Sequence, residues 1–255
     1  MNFQILQTLE TYLPFELNSF SSFLKVYLFL FFVISLRYIF FVGLSYLFFW
    51  KNKFMQFNKL HSLDINPLQI RNEIKWSVIS TFIFSFSGYL MGFLWQNNMT
   101  QIYLRFDQYG YFYLFLSFLI MTLLHEVYFY VTHVFMHQPR FFKKIHSVHH
   151  ESKDVSPWAS FSFHPWETLV HALFVPAMIC IFPVHPVVLV GYFTFMTLTA
   201  ISNHLGIEII SSNFIKNHFI SGTHHSLHHK KYKYNYGLYY CFMDRLFGTE
   251  FAEEE

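Results

Sequence analysis

Long apolar runs are the feature that most limits how this chain can fold. A helix needs about 20 consecutive apolar residues to cross the hydrocarbon core of a bilayer. Runs of that length occur at residues 26–50, 76–95 and 111–130. Only 13% of the 255 residues are charged, whereas soluble domains contain about 25%. We therefore expect an integral membrane protein.

Two shorter apolar runs follow, at residues 168–182 and 186–201, and a Pro-Val-His-Pro break separates them. They predict a helical hairpin whose arms are barely long enough to cross a bilayer. The expected fold is an all-α integral membrane protein with about four to five transmembrane or membrane-embedded helices. The length favours a single domain, 1–255, with N-terminal membrane spans in 1–124 and a histidine-motif region in 125–250. The first run is too long for the core of a signal peptide, so we interpret it as a retained anchor.

Basic residues are distributed unevenly along the chain. Lysines and arginines concentrate in segments 51–75, 138–166 and 205–255, whereas 96–110 and 183–186 hold one between them. Alternating spans place the three basic segments on one side, which the positive-inside rule makes the cytoplasmic side. The histidine-rich segments lie on this same side, so we expect a histidine-rich helical cap on the cytoplasmic face. The net charge of +2 gives no indication of nucleic-acid binding.

Histidine spacing is the strongest chemical signal among the 16 histidines. Residues 133–137 read H-x-x-x-H, and both 146–150 and 225–229 read H-x-x-H-H. On a helix the first, fourth and fifth positions of H-x-x-H-H share one face, so three imidazoles can converge. Neutral imidazole is the commonest metal ligand, and this number of donors suffices for two ions. The candidate ligands are His133, His137, His146, His149, His150, His204, His225, His228 and His229.

The remaining cysteines and histidines carry less information. Cys180 and Cys241 are too far apart to indicate a zinc ribbon or a disulfide framework. Isolated histidines are expected to be packing or interfacial residues. This interpretation applies to His61, His171, His185 and His218, while the roles of His164 and His224 stay open.

Several further motifs accompany the histidines. They are EVYFYVTHVFMH at 126–137, FHPWE at 163–167, NYG at 235–237 and DRLFGT at 244–249. In this order they resemble the fatty acid hydroxylase/sterol desaturase superfamily of membrane di-iron enzymes. The stretch from 137 to 167 is most similar to the sterol desaturase, lathosterol oxidase-like branch. One departure is Val134, where the family usually has arginine.

The resemblance implies a membrane-bound lipid oxidase that hydroxylates or desaturates a C–H bond of a sterol or fatty-acyl lipid. It implies two iron ions, for which zinc can substitute in a purified sample, and O₂ as co-substrate. The nine candidate histidines would be the metal ligands, and eight of them, all except His204, would form the catalytic motifs. Glu126, Asn203 and Asp244 are candidates for orienting imidazole rings. The alternative for Asp244 is an ion pair with Arg245 or a nearby lysine.

The resemblance also bears on partners and location. No haem-binding domain is visible in the sequence, so we expect a separate electron-donor protein. The expected membrane is the endoplasmic reticulum in a eukaryote or the inner membrane in a bacterium.

Two other functions have to be weighed. A zinc-dependent membrane hydrolase would be expected to carry H-E-x-x-H, but His125–Glu126 is followed by phenylalanine at position 129. A histidine-rich metal transporter would place ionisable residues along its spans. Arg37 is the charge that we find deep in a predicted span, and the histidine clusters lie at span ends instead. Both features favour the oxidase.

Overall fold

The computed structural model describes residues 17–56, 58–210 and 212–251. In these ranges the regular structure is helical, and β-pairing is limited to isolated bridges such as Phe219 with Tyr240. The α-helices are α1 (Phe20–Ser45), α2 (Pro67–Gln96), α3 (Tyr111–Met136), α4 (Pro139–Ile145), α5 (Pro165–Ile181), α6 (Pro186–Asn203), α7 (Asn213–His218), α8 (Gly222–Lys231) and α9 (Phe242–Phe247).

Four helices are long and apolar enough to cross a membrane: α1 with its π-helical continuation Tyr46–Trp50, α2, α3 and α6. The apolar helix α5 is shorter. This arrangement confirms an all-α membrane protein with four to five spanning or embedded helices. Helix α2 begins before the apolar run 76–95, since Asn66 caps it by accepting from Leu68 N at 2.9 Å and Pro67 is its first residue.

A polar seam runs along the inner face of α2. Ser77, Ser80, Thr81 and Ser85 are all buried, and their spacing puts them on one side of the helix. Ser80 Oγ lies 3.0 Å from Thr168 Oγ1 of α5. Small polar residues let membrane helices approach closely and bond across their interface. The seam therefore holds α2 against α5.

The apolar core lies between α3, α5 and α6. It is built from buried residues of these helices and of the turn that joins α5 to α6, namely Met121, Phe174, Val175, Ile179, Val184, Val188, Leu189 and Tyr192. In contrast, α1 turns large apolar side chains outward, with Phe29 64% and Phe40 61% exposed. Such a surface is what a lipid-facing helix requires.

The histidine motifs occupy the ends of these helices. His133 lies in the last turn of α3, and His204 caps the end of α6. The segment after α4 forms a turn and a short 3₁₀ helix, His149–Glu151. Helix α8 packs against α6 and carries the last motif. Four separate elements thus deliver imidazoles to one end of the helix bundle.

Candidate metal centre

Nine imidazoles gather in two clusters, which comprise the nine candidate ligands of the sequence. Within each cluster, one nitrogen per ring lies within 4.8 Å of the others. The five-histidine cluster consists of His133, His137, His146, His150 and His228, and the four-histidine cluster consists of His149, His204, His225 and His229.

The H-x-x-H-H motifs are each divided between the two clusters. The pair four residues apart stays together, so His146 and His150 join one cluster while His225 and His229 join the other. The fourth residue of each motif, such as His149, joins the opposite cluster. The expectation that three rings of one motif converge was wrong. Neighbouring residues on a helix differ by about 100° in direction, so adjacent histidines face different centres.

The rings meet through their Nε2 atoms. In the five-histidine cluster, Nε2 atoms of His137, His150 and His228 lie 3.1 Å from one another. In the four-histidine cluster, His204 Nε2 lies 3.2 Å from His149 Nε2 and 3.0 Å from His225 Nε2. All these rings except His137 are buried. Each cluster therefore presents a group of converging ring nitrogens that is shielded from water.

Backbone carbonyls fix the proton on the other nitrogen of several rings. A carbonyl oxygen can only accept, so the Nδ1 that faces it carries the hydrogen and Nε2 is left with its lone pair. This arrangement occurs in both clusters. The donors and acceptors are His133 to Tyr236 O (2.8 Å), His149 to Ser162 O (3.2 Å), His204 to Ala200 O (2.7 Å) and His228 to Tyr234 O (2.7 Å).

The facing lone pairs indicate a cation. His149 and His204 both carry their hydrogen on Nδ1, so two bare Nε2 atoms face each other at 3.2 Å. A bridging proton is disfavoured, because burial lowers the pKa of His204 to about 4 and that of His149 well below its usual range. A metal ion held by both nitrogens removes the repulsion, and imidazole suits iron, zinc, copper and nickel. The donor set fits two such ions.

Glu167 is a functional candidate that the sequence did not single out. His146 Nδ1 donates to its Oε1 at 2.7 Å, and His171 Nε2 lies 3.6 Å from the same oxygen. The carboxylate is buried in the first turn of α5. Carboxylates in this position orient a ligating imidazole and increase its basicity. The signal was present in FHPWE, since an acidic residue two positions after Pro165 falls on the first turn of a helix.

His164 and His224, whose roles the sequence leaves open, are helix caps. His164 is the N-cap of α5, where its Nδ1 accepts from Trp166 N at 3.4 Å. His224 completes a capping box at the start of α8, accepting from Ser221 N at 3.3 Å. Both rings lie outside the two clusters.

The isolated histidines also lie outside the clusters. His185 caps α6 by accepting from Val187 N, and its Nε2 donates to Leu104 O at 3.1 Å. His171 stacks on Phe129. Among the described residues, these two rings make the contacts of packing and capping residues.

Glu126 and Asp244 bind backbone amides rather than imidazoles. Glu126 accepts from Tyr239 N at 2.7 Å and from both neighbouring amides, and Asp244 accepts from Tyr236 N at 2.8 Å and Gly237 N at 2.9 Å. The expectation that they orient rings directly was wrong, since the carboxylate of Glu126 accepts hydrogen bonds from three consecutive backbone amides. They hold the turn whose Tyr236 carbonyl accepts from His133.

Three details of the sequence interpretation change accordingly. Asn203, the third expected ring-orienting residue, donates from Nδ2 to Leu238 O at 3.0 Å. Arg245 pairs with Glu250 at 2.8 Å instead of with its neighbour Asp244. Glu126 is buried within α3, so Arg37 is not the one charged residue deep in a span.

The model of the fatty acid hydroxylase family matches residues 118–249. A Delta(7)-sterol 5(6)-desaturase of Gibberella zeae is 24% identical over 74% of this chain and 60% of its own length. Human lathosterol oxidase is 29% identical over 71% of this chain and 61% of its own length. Rat lathosterol oxidase is 34% identical over 52% of this chain and 44% of its own length. The chain thus spans at most about three fifths of these relatives. No solved structure matches it.

Proposed function

Because the chain belongs to the fatty acid hydroxylase family, we propose that it is a membrane-bound oxidoreductase that uses O₂ to hydroxylate or desaturate a C–H bond of a lipid. Relatives named sterol desaturase and lathosterol oxidase favour a sterol over a fatty-acyl substrate. The observation that carries the proposal is the pair of imidazole clusters with facing, unprotonated Nε2 atoms. Such a donor set suits a pair of redox-active ions.

Each cluster would hold one iron ion through its Nε2 atoms, with His133, His137, His146, His150 and His228 around one and His149, His204, His225 and His229 around the other. When bound, the two ions supply the O₂ activation and oxidising power that amino-acid side chains lack. Zinc can occupy the same nitrogens in a purified sample.

The chain's own residues prepare this centre. Carbonyl acceptors on the Nδ1 atoms of four rings keep those rings oriented and keep their Nε2 atoms free of protons. Glu167 would hold the proton of His146 at Nδ1 and, ionised opposite a bound metal ion, would add a negative charge behind that ring. Eight of the nine rings are buried and His137 is half-buried, so the access of bulk water to both clusters is limited. Exclusion of water limits the side reactions of an oxidising site.

The orientation of the protein follows from its basic segments. Segments 51–75, 138–166 and 205–251 are Lys/Arg-rich and flank the end of the bundle that carries the clusters. The positive-inside rule favours the cytoplasmic side for them. The membrane would be the endoplasmic reticulum or a bacterial inner membrane. Electrons would arrive from a separate donor protein at this face.

The experiment that tests the proposal combines metal analysis with turnover. The full chain is expressed with added iron, purified in detergent, and assayed for iron and zinc per chain. We expect about two metals per chain and O₂-dependent oxidation of lathosterol or stearic acid with a supplied reductant. The His149→Ala variant is the control and should lose both metal and turnover.

Three outcomes would contradict the proposal. About one metal or none per chain would mean that the imidazoles do not form a two-metal centre. Two metals without O₂ consumption, together with metal uptake by reconstituted vesicles, would identify a metal transporter instead. Metal-dependent lipid cleavage without O₂ would identify a hydrolase.

A further inference from the structure

Three side chains that can bind a metal converge outside the two imidazole clusters. His224 lies in the first turn of α8, Cys241 directly precedes α9, and Glu250 follows α9. One ligand atom of each residue lies within 4.8 Å of the other two, and His224 Nε2 is 3.9 Å from Cys241 Sγ. Both imidazole clusters consist of histidines alone, so this third group differs from them in offering a thiol and a carboxylate.

One buried residue holds the backbone on two sides of this group. Asn235 is 1% exposed, and its Nδ2 donates to His224 O at 3.2 Å and to Phe251 O at 3.0 Å. Its backbone nitrogen donates to Thr249 O at 2.8 Å, and its Oδ1 accepts from Phe251 N at 2.8 Å. Glu250 therefore lies between two residues that are bonded to Asn235, and the same side chain fixes the start of α8. The imidazole and the carboxylate are thus brought together by the fold.

Cys241 is fixed beside them by its own backbone. Its nitrogen donates to His218 O at 3.0 Å, and its side chain is fully buried with Sγ 3.6 Å from Lys216 O. A buried cysteine by itself is most often an inert packing residue. Here the sulfur faces an imidazole and a carboxylate from two other segments, which is the donor combination that zinc accepts.

The imidazole and the carboxylate can each bind an ion and keep a hydrogen-bond partner. Glu250 accepts from Arg245 at 2.8 and 2.9 Å, but a carboxylate has about four lone-pair sites, so free ones remain. His224 Nδ1 lies 3.0 Å from Ser221 Oγ, which can accept the ring hydrogen when Nε2 gives its lone pair to a metal. The contact of Nδ1 with Ser221 N would then be given up. The Glu250 side chain is 27% exposed, so an ion can reach the group from solvent.

We propose that His224, Cys241 and Glu250 form a third metal site, which takes zinc. The ligands would be His224 Nε2, Cys241 Sγ and a carboxylate oxygen of Glu250, with water in the fourth position of a tetrahedron. The thiolate selects zinc over magnesium, calcium and manganese. On binding, a zinc–sulfur bond forms and the thiol proton is released to solvent. The site is independent of the reaction at the imidazole clusters.

The affinity of this site should be lower than that of the imidazole clusters. Burial raises the pKa of the Cys241 thiol to about 12, so the metal has to displace a firmly held proton. The group also offers three protein ligands, whereas the clusters offer four and five. We therefore expect the purified chain to carry two metals and the third site to fill when zinc or cobalt is added.

Cobalt is the probe that distinguishes this site from the histidine clusters. A thiolate bound to Co²⁺ absorbs in the near ultraviolet by sulfur-to-metal charge transfer, which imidazole and carboxylate ligands do not produce. The full chain, purified with iron in detergent without thiol reductants, is titrated anaerobically with cobalt chloride, and difference spectra are recorded. We expect a band that saturates at one cobalt per chain and that added zinc abolishes. Cys241→Ser should lose the band, and Cys180→Ser, the matched control at the other cysteine, should keep it.

Two variants test the other ligands. Loss of a group that merely orients a ligand lowers metal affinity about 10–100-fold, so Glu250→Gln and His224→Ala should each raise the cobalt concentration at half saturation at least about tenfold. Arg245→Gln is the control for Glu250→Gln, because it breaks the same ion pair and leaves the carboxylate. It should bind cobalt at least as tightly as the wild type, since a positive charge beside the ion is removed. Equal weakening by Arg245→Gln and Glu250→Gln would show that Glu250 is not a ligand.

Two further results would overturn the site itself. They are a wild-type titration without a charge-transfer band and a band that survives in Cys241→Ser. The iron content and melting temperature of Cys241→Ser should equal those of the wild type, which separates loss of the site from misfolding. A cobalt band that depends on Cys241 in a protein that fails to oxidise lipid would uphold the third site and contradict the proposed function alone.

Discussion

Replacing Glu167 by glutamine should weaken one of the two metal positions and spare the other. Glutamine keeps an oxygen that can accept from His146 Nδ1 but cannot supply the negative charge that a carboxylate would place behind the ring opposite a bound metal ion. The side chain is 1% exposed, so solvent hardly screens that charge. His146 belongs to the five-histidine cluster alone. The two metals should therefore respond differently to one substitution.

The size of the effect follows from the position of the carboxylate. Loss of a group that orients a ligating histidine lowers metal affinity by about 10–100-fold. That range corresponds to about 1.4–2.7 kcal/mol. Glu167→Ala also removes the acceptor from His146 and should fall at or beyond the upper end. Metal affinity at this position should therefore decrease from the wild type to Glu167→Gln and from Glu167→Gln to Glu167→Ala.

A chelator competition measures this directly on the purified full chain. The wild type should release its two metals over a narrow range of chelator concentration, and Glu167→Gln should release one of them at a 10–100-fold lower concentration. Glu151→Gln is the control, since Glu151 is an exposed carboxylate next to His150 and should behave as wild type. Equal weakening of both metals in Glu167→Gln, or none, would refute the assignment of Glu167 to one cluster.

Four further outcomes can be checked. His149→Ala and His228→Ala each remove a ligand, so both should lower metal content and abolish lipid oxidation while alkaline extraction shows intact membrane insertion; normal turnover in either would contradict the ligand assignment. His185→Ala removes a helix cap, so the free energy of unfolding should fall by about 1 kcal/mol while turnover stays unchanged. Gly237→Ala places a Cβ 2.7 Å from Tyr240 O, so the melting temperature should drop, and a wild-type melting curve would exclude this clash. A reporter fused after Glu255 should be cytoplasmic, and a lumenal or periplasmic signal would reverse the topology.

Span number could be predicted from the sequence because about 20 apolar residues are needed to cross a bilayer. The start of α2 could not be predicted, since its first turns contain Arg71, Asn72 and Glu73, which interrupt the apolar run. Glu73 is buried because Ser152 Oγ donates to it at 2.7 Å and Ser156 Oγ also donates to it. These partners lie about 80 positions further along the chain, and no local pattern reveals such a pairing.

The identity of the metal-binding candidates could be predicted, but their partition could not. Spacing selects histidines that share a helix face, and it places His133 with His137 in one cluster. It does not reveal that His149 and His150 face different centres, because the spacing does not show which distant rings each of two adjacent histidines meets. The acceptors that fix the rings are mostly backbone carbonyls, such as Ser162 O, which any sequence could provide. Tertiary structure alone specifies them.

The divided motifs imply that the two metal positions are not independent. The segment 146–150 contributes two rings to the five-histidine cluster and one to the other, and α8 contributes in the opposite proportion. A displacement of either element therefore moves ligands of both metals at once. The two shared elements would therefore help to set the separation of two bound ions, together with the packing of α3 and α6, which supply the remaining ligands. Such coupling would suit a reaction that needs both ions together.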